Sequence, residues 1–319
     1  MHIQIVGLHA PNAPRLRELL GPGHEVEALQ AFPEAGLIES DVVIGNSIGE
    51  GEASRLRCRL VHVPGAGSEH IACGSLPSGT TVCNVHGHEV PIAEFTLHAI
   101  LEHGLQLWQY PSCLDADAWA KAYANRPQHE EAHGKTLAIV GFGHIGQEIA
   151  RRARALGMHV VAVTRSGKPG PAELADEFVA VSALDDVLPR AGFLVICCPL
   201  DDSTRGLVGA RQLALLPAQA LLVNVARAEV VDEQALYEAL RDQRPARAVL
   251  DVWYQYPKKG QPPVNPSRWP LHALPNVRAT PHISAMTPAL LERRYRFMAD
   301  NILRLQQGQP LRNVIYPAS

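Results

Sequence analysis

The sequence predicts an α/β chain made of two doubly wound parallel sheets, and three observations carry that prediction. Short β-rich runs alternate with helix-capable segments, the pattern that places helices on the faces of a parallel sheet. The series stops at a polar stretch, NRPQHEEAHG (125 to 134), and then begins again. In the second series the strands read as near-continuous apolar runs, as strands covered on both faces should.

The first series consists of HIQIVG at the N-terminus, DVVIGN at 41 to 46, RLVHVPG at 59 to 65 and TTVCNV at 80 to 85, with helical segments such as PRLRELLG between them. A long helical pattern follows, PIAEFTLHAILEHGLQLW, with Pro91 suited to a first turn because its missing N–H is not needed there. The second series is TLAIVG, HVVAVT, EFVAV, FLVICC, ALLVNV and ARAVLDV. In the tail, PALLERRYRFMADNILRLQQG sets Leu291, Met298, Ile302 and Leu305 on one helical face, which needs a partner surface. No repeat of solenoid period occurs.

At 319 residues the chain is long enough for two cored domains. A net charge of −3 with scattered Lys and Arg argues against a nucleic-acid or anionic-membrane partner. The six cysteines (58, 73, 83, 113, 197 and 198) show no C-x-x-C pair and no metal-type spacing, so reduced thiols and no metal are expected. Cys197 and Cys198, inside FLVICCPL, read as small buried hydrophobes. No apolar run approaches a membrane span and the N-terminus lacks a signal-peptide pattern, so a cytoplasmic location is expected.

The strongest local signal is TLAIVGFGHIGQEIARRARALGMHVVAVTRSG, with Gly141, Gly143 and Gly146 in G-x-G-x-x-G directly after a strand and opening a helix. Gly141 makes the tight turn, Gly143 admits a pyrophosphate close to the backbone, and Gly146 lets helix and strand pack closely. The helix N-terminus then offers free N–H groups to the phosphates. An NAD site wants an Asp or Glu at the end of the next strand. Here the strand ends in Thr164, Arg165 and Ser166, with no acid to repel a 2′-phosphate. Arg165 can pair with such a phosphate and the two hydroxyls can donate to it. NADP(H) is therefore expected ahead of NAD(H), the alternative being a solvated arginine beside a tolerant NAD site.

The chain resembles the D-isomer-specific 2-hydroxyacid dehydrogenases, the family of glyoxylate/hydroxypyruvate reductases, D-lactate and phosphoglycerate dehydrogenases and formate dehydrogenase. The resemblance runs through HVPGAGSEHI, PIAE, GKTLAIVGFGHIG, LDDVLPRAGFLVICCPLDDSTRGLVG, LLVNVARAEVVDEQALYEAL, LPNVRATPHIS and GQPLRNVI. It implies a Rossmann cofactor domain (100–286) inserted into a flavodoxin-like substrate domain (1–99 plus 287–319), with the active site in the cleft. It further implies cofactor contacts from His144 and Ile145, from Pro199 and Thr204, from Val225 and Ala226, and from Asp251. Homodimers are common in such a family, and a small 2-oxo or 2-hydroxy acid is the expected partner.

Arg227 stands just past an apolar strand, where ligands collect beyond sheet C-termini, and its planar charged fork suits a carboxylate and a polarised carbonyl. The resemblance assigns it substrate binding and orientation; a structural salt bridge is the alternative. Asp232 and Glu233 are expected to begin the next helix. His282, in A-T-P-H-I-S, matches the family's acid and base, protonating the carbonyl oxygen during reduction. In the Gly65-Ala66-Gly67 turn, small residues let the amides of Ala66 and Gly67 face a substrate carboxylate, although an ordinary glycine turn reads equally well. His88 is either a second substrate contact or a loop histidine.

One stretch departs from the family pattern. Relatives usually read D-V-F-x-x-E-P, the Glu raising the catalytic histidine's pKa and fixing its tautomer. Here the stretch is DVWYQYP, and Tyr256 takes the acid's place. Three explanations stay open: the tyrosine hydroxyl holds the imidazole, another acid arrives through space, or proton transfer has been lost and the fold senses cofactor redox state. The sequence reading favours the first, in an NAD(P)H-dependent reductase of small 2-oxo acids such as glyoxylate or hydroxypyruvate. Formate oxidation, which needs no proton step at oxygen, fits poorly, because His88 stands where a formate-binding Asn is expected. The Pro-rich insertion KKGQPPVNPSRWP (258 to 270) is read as a lid or oligomer contact, or equally as a solvated loop.

Overall fold

The computed structural model describes residues 1–110, 115–126, 128–257 and 261–317. The chain begins with β1 (His2–Val6), α1 (Ala13–Leu20), β2 (Glu25–Leu29), β3 (Ile38–Glu39), β4 (Val42–Ile44), α2 (Glu50–Ala53), β5 (Leu56–Arg57), β6 (Leu60–His62) and β7 (Thr81–Cys83). Then come α3 (Glu89–Leu105), α4 (Ala116–Ala124), β8 (Thr136–Val140), α5 (His144–Ala155), β9 (His159–Thr164), β10 (Glu177–Ala180), α6 (Leu184–Val187) and β11 (Phe193–Ile196). After these follow α7 (Ala210–Leu215), β12 (Leu221–Asn224), α8 (Glu233–Arg241), β13 (Arg247–Leu250), β14 (Val277–Ala279), α9 (Pro288–Gln306) and β15 (Val314–Tyr316).

These elements form two compact units, Met1–Gly87 with Met286–Ser319, and His88–Ala285. In the first, the sheet order is β15-β7-β6-β4-β1-β2, parallel except for β15, which pairs antiparallel on the edge. One face is covered by α1 and α9, around Ile3, Ile5, Ile44, Leu60, Met298 and Ile302. Met298 and Ile302 are fully buried and each stabilises the unit by about 1.5–3 kcal/mol relative to an exposed side chain. Helix α9 starts where expected: the Thr287 hydroxyl accepts from Leu290 N–H, and Pro288 occupies the first turn.

In the second unit the order is β10-β9-β8-β11-β12-β13-β14, all parallel. Alternate residues of each strand feed two cores. Leu137, Ile139, Val160 and Val195 pack with α3 and α5, while Ala138, Val140, Val161 and Ile196 pack with α6 to α8. That double coverage is the physical reason the central strands read as near-continuous apolar runs.

The expected boundary at 99/100 differs from the division between Gly87 and His88. Helix α3 is continuous across residue 99, and its Ile92, Ala93, Leu97, Ala99 and Ile100 all pack in the core of the second unit. The helix also ends earlier than its apolar pattern suggests, because Gln106 adopts a left-handed conformation (φ 49°). Strands β2 and β14 were not anticipated. Each is an edge strand with much exposed side-chain surface, so neither carries a continuous apolar run.

Burial explains the cysteines. It pushes the thiols of Cys58 and Cys198 up to about 11 and that of Cys83 up to about 12, and it raises those of Cys73 and Cys197. The Cys197 thiol donates to Gly141 O at 2.9 Å. Cys113 lies outside the described residues, as do residues 258–260 of the insertion. The described remainder of that insertion is anchored to its own unit: Gln255 N–H donates to Pro266 O, and Trp269 stacks on Tyr237. Among the described residues no helix is long and apolar enough to cross a membrane, and no group of three or more His, Cys, Asp or Glu could hold a metal ion.

Candidate active site

The glycine turn after β8 behaves as its spacing implies. Gly141 has φ 98°, and a Cβ there would lie 2.5 Å from Cys198 N. A Cβ on Gly146 would lie 2.3 Å from Gly141 O, so the close packing of α5 on its strand requires glycine. Gly143, at the N-cap of α5, has open space where its Cβ would be. Two glycines are thus demanded by the chain itself and the third leaves room for a ligand, with exposed His144 and half-buried Ile145 following. The arrangement fits a dinucleotide pyrophosphate at the helix N-terminus.

Beside this turn lies a cavity of about 270 Å³ lined by Gly141, Thr164, Arg165, Pro199, Ser203, Thr204 and Leu207, among others. The Thr164 hydroxyl accepts from Gly167 N–H at 3.0 Å, which shapes the turn after β9, and Ser166 Oγ accepts from Lys168 N–H at 3.4 Å. The Thr204 hydroxyl donates to Pro199 O at 2.8 Å. The expectation that no acid stands here is corrected by the structure. Arg165 Nη2 donates to Asp201 Oδ2 at 2.8 Å. Asp201 is 36 residues away in sequence. It comes from the loop after β11, and β9 and β11 both flank β8, so the two loops are neighbours beyond the strand ends.

The chemistry-bearing side chains of the second unit gather at the other end of the sheet's upper edge. Asn224, buried at the end of β12, accepts Ala226 N–H with Oδ1 and donates to Arg227 O with Nδ2, both at 3.0 Å. This turn leaves Val225 and Ala226 buried and Arg227 exposed, its Nη1 donating to Ala226 O at 2.8 Å. Sequence reasoning missed Asn224. An Asn closing a strand two residues before a buried N–H is the signal of such a turn. Asp232 caps α8, accepting Ala235 N–H at 2.8 Å, as expected.

His282 sits on a left-handed backbone (φ 58°), unfavourable for a side chain with Cβ. The loop is forced into that shape from below. Asp251 is fully buried; its Oδ1 accepts Thr280 Oγ1 at 2.6 Å and Ile283 N–H at 2.8 Å, and its Oδ2 accepts Ser284 N–H at 3.0 Å. The Trp253 indole adds a bond to Thr280 O at 2.8 Å. Asp251, expected as a cofactor contact, therefore spends both carboxylate oxygens on the histidine loop.

Tyr256 Oη lies 2.9 Å from His282 Nδ1 and accepts Trp253 N–H at 3.2 Å. The phenol donates to Nδ1 when the imidazole proton is on Nε2, and its oxygen accepts from Nδ1–H when that nitrogen is protonated. Burial lowers the His282 pKa below its ordinary value; the Asp251 charge opposes this and the Arg227 charge adds to it. Burial also raises the Tyr256 pKa, against smaller opposing effects of the Trp253 N–H bond and then of the Arg227 charge. Arg227, Asp251, Tyr256 and His282 thus act on one another within one unit. Of the remaining expected residues, His88 is the N-cap residue of α3, its Nδ1 3.9 Å from Glu89 Oε2. Ala66 and Gly67 belong to the first unit, where Ala66 O accepts from Asn84 Nδ2 at 2.8 Å.

A glycine turn at the head of a parallel sheet, an open helix N-terminus and an adjoining cavity define an NAD-binding α/β protein. Residues 97–284 match the family model described as D-isomer specific 2-hydroxyacid dehydrogenase, NAD binding domain, and the chain belongs to that family. D-3-phosphoglycerate dehydrogenase of Methanocaldococcus jannaschii is 31% identical over 81% of this chain and 48% of its own length. Glyoxylate reductase of Thermococcus kodakarensis is 37% identical over 56% of this chain and 51% of its own length. The chain thus spans about half the length of these curated relatives. Among solved structures, the NADPH-dependent glyoxylate/hydroxypyruvate reductase of Sinorhizobium meliloti in complex with NADP and sulfate is similar, with TM-score 0.77 and 25% identity. That similarity covers 99% of this chain and 98% of the other.

Proposed function

We propose that the chain is an NAD(P)H-dependent reductase of small 2-oxo acids, with NADPH preferred and glyoxylate and hydroxypyruvate as trial substrates. The observation that carries this reading is the joint placement of His282, Tyr256 and Arg227 beside the buried Asp251. When bound, a reduced nicotinamide would supply hydride to the substrate's carbonyl carbon. Arg227 holds the substrate carboxylate and draws charge onto the carbonyl oxygen, a task suited to its fork of donors. The His282 imidazolium, whose Nδ1–H donates to the Tyr256 phenol oxygen, gives its Nε2 proton to that carbonyl oxygen and is left neutral with its proton on Nδ1. The backbone amides of Ala66 and Gly67 are proposed carboxylate contacts on their own chemistry. The residues lining the cavity and the α5 N-terminus are proposed to hold the cofactor.

Because the His282 pKa lies below its usual value, the acid form is lost as pH rises through that lowered pKa. Reduction should therefore be fastest at acidic pH, and a pH profile of kcat/KM checks the direction. Loss of NADPH absorbance across a panel of 2-oxo acids tests the function itself. A cofactor-loaded protein giving a flat trace with every acid would overturn the reading in favour of a binding module.

We also propose a homodimer. Helix α4 spans nine residues, Ala116–Ala124, and buries none of them, with Trp119 and Tyr123 exposed. A helix this short holds little structure on its own, so a second copy covering it is the natural partner. Light scattering giving only the monomer mass would reject this.

A further inference from the structure

We propose that Asp201 limits the chain's preference for a 2′-phosphorylated cofactor, acting on the cation that would receive the phosphate. The inference rests on the dinucleotide reading of the glycine turn and goes beyond it. Arg165, with 78% of its side chain exposed, lines the cavity and donates to Asp201 Oδ2. The other oxygen of Asp201 is fixed from behind: Oδ1 accepts Ser203 N–H at 2.8 Å and Ser203 Oγ at 2.5 Å. The loop is closed further by Thr204 and Arg205, whose N–H groups donate to Asp201 O at 3.1 and 2.9 Å. The carboxylate cannot swing away without breaking this turn.

The consequence differs for the two cofactors. A ribose 2′-hydroxyl can donate to a carboxylate placed in this way, the task an acid at the end of β9 would perform. A 2′-phosphate must take the guanidinium from Asp201 and then lie beside its negative charge. Arg165 thus draws in the phosphate while Asp201 restrains the gain, which leaves a chain able to use both cofactors. Those bonds from Ser203 and the Arg165 charge favour the ionised carboxylate, so the restraint persists at neutral pH.

The test is binding, read by quenching of protein fluorescence with NADPH and with NADH, on wild type and Asp201→Asn. Asparagine keeps the Oδ1 acceptor for Ser203 N–H and removes the charge. The ratio of the two dissociation constants is the readout, so any general loosening of the loop cancels. Removing one like charge near a phosphate dianion at an exposed site should shift the ratio toward NADPH by about tenfold. Adenosine 2′,5′-bisphosphate should gain affinity in the same proportion, while 5′-AMP should not. An unchanged ratio, or one moved toward NADH, overturns the role of Asp201. Failure of the wild type to bind either cofactor would instead overturn the dinucleotide reading itself.

Discussion

Two carboxylates hold the two ends of the proposed cofactor site, and they do so in opposite surroundings. Asp251 is fully buried, and both its oxygens serve the loop that carries His282. Asp201 is on the surface and shares one oxygen with a mostly exposed arginine. The first is structural and electrostatic at once, because it holds the histidine loop and its charge favours the His282 imidazolium. The second is screened by water, adds little to the fold, and affects only what arrives beside it. The buried carboxylate fixes the loop that carries His282, and the exposed one is left to tune selectivity.

The largest effect belongs to the end of the site that carries His282, where the charge removed is that of the exposed Arg227. Arg227→Ala should lower kcat/KM for a 2-oxo acid by on the order of 10³-fold, since a charge placed where the transition state needs it is lost. Turnover near wild type would detach the guanidinium from the chemistry. Asp251→Ala removes the acceptor of Thr280 Oγ1 and of the N–H groups of Ile283 and Ser284; Ser284 is the buried one, and at about 1–3 kcal/mol for a buried unsatisfied donor the variant should lose about 1–3 kcal/mol. Urea denaturation followed by fluorescence measures it, and an unaltered midpoint would break the comparison outright.

A subtler effect concerns the proton. In Tyr256→Glu a carboxylate replaces the phenol beside Nδ1, favours the imidazolium and raises the His282 pKa. The protonated acid then survives to higher pH, so the alkaline limb of the reduction profile should move up by about one pH unit. A profile that does not move takes position 256 off the proton path. The smallest effect belongs to the exposed end: Arg165→Ala should leave the thermal midpoint unchanged within error, since an exposed ion pair contributes almost nothing. A clear drop would mean that the pair is structural after all.

Much of this was legible in the sequence. Strands such as TLAIVG and FLVICC announce themselves because both faces of their sheet are covered, and the three glycines because sterics or ligand access demand them. Tyr256 in place of an acid could be read from one residue's position before Pro257, and its contact with His282 follows that reading. What escaped depends on through-space neighbours. Asp201 is silent in sequence because its partner lies on another strand's loop, although the order β9-β8-β11 brings the two loops together. Asp251 looks like any acid at the end of a strand, and only the fold of the Thr280–Ser284 loop over it reveals what its oxygens hold. Of the three explanations open for DVWYQYP, the first requires a contact between the phenol and the imidazole, and Tyr256 Oη lies 2.9 Å from His282 Nδ1.

The buried sulfur atoms carry a consequence for the chain's chemistry under stress. Peroxides and alkylating reagents attack thiolates, and Cys58, Cys83 and Cys198, with pKa values of about 11 to 12, present almost none at neutral pH. Among the described cysteines these side chains behave as inert packing, so oxidants that disable thiol-dependent enzymes should leave the core of this one untouched.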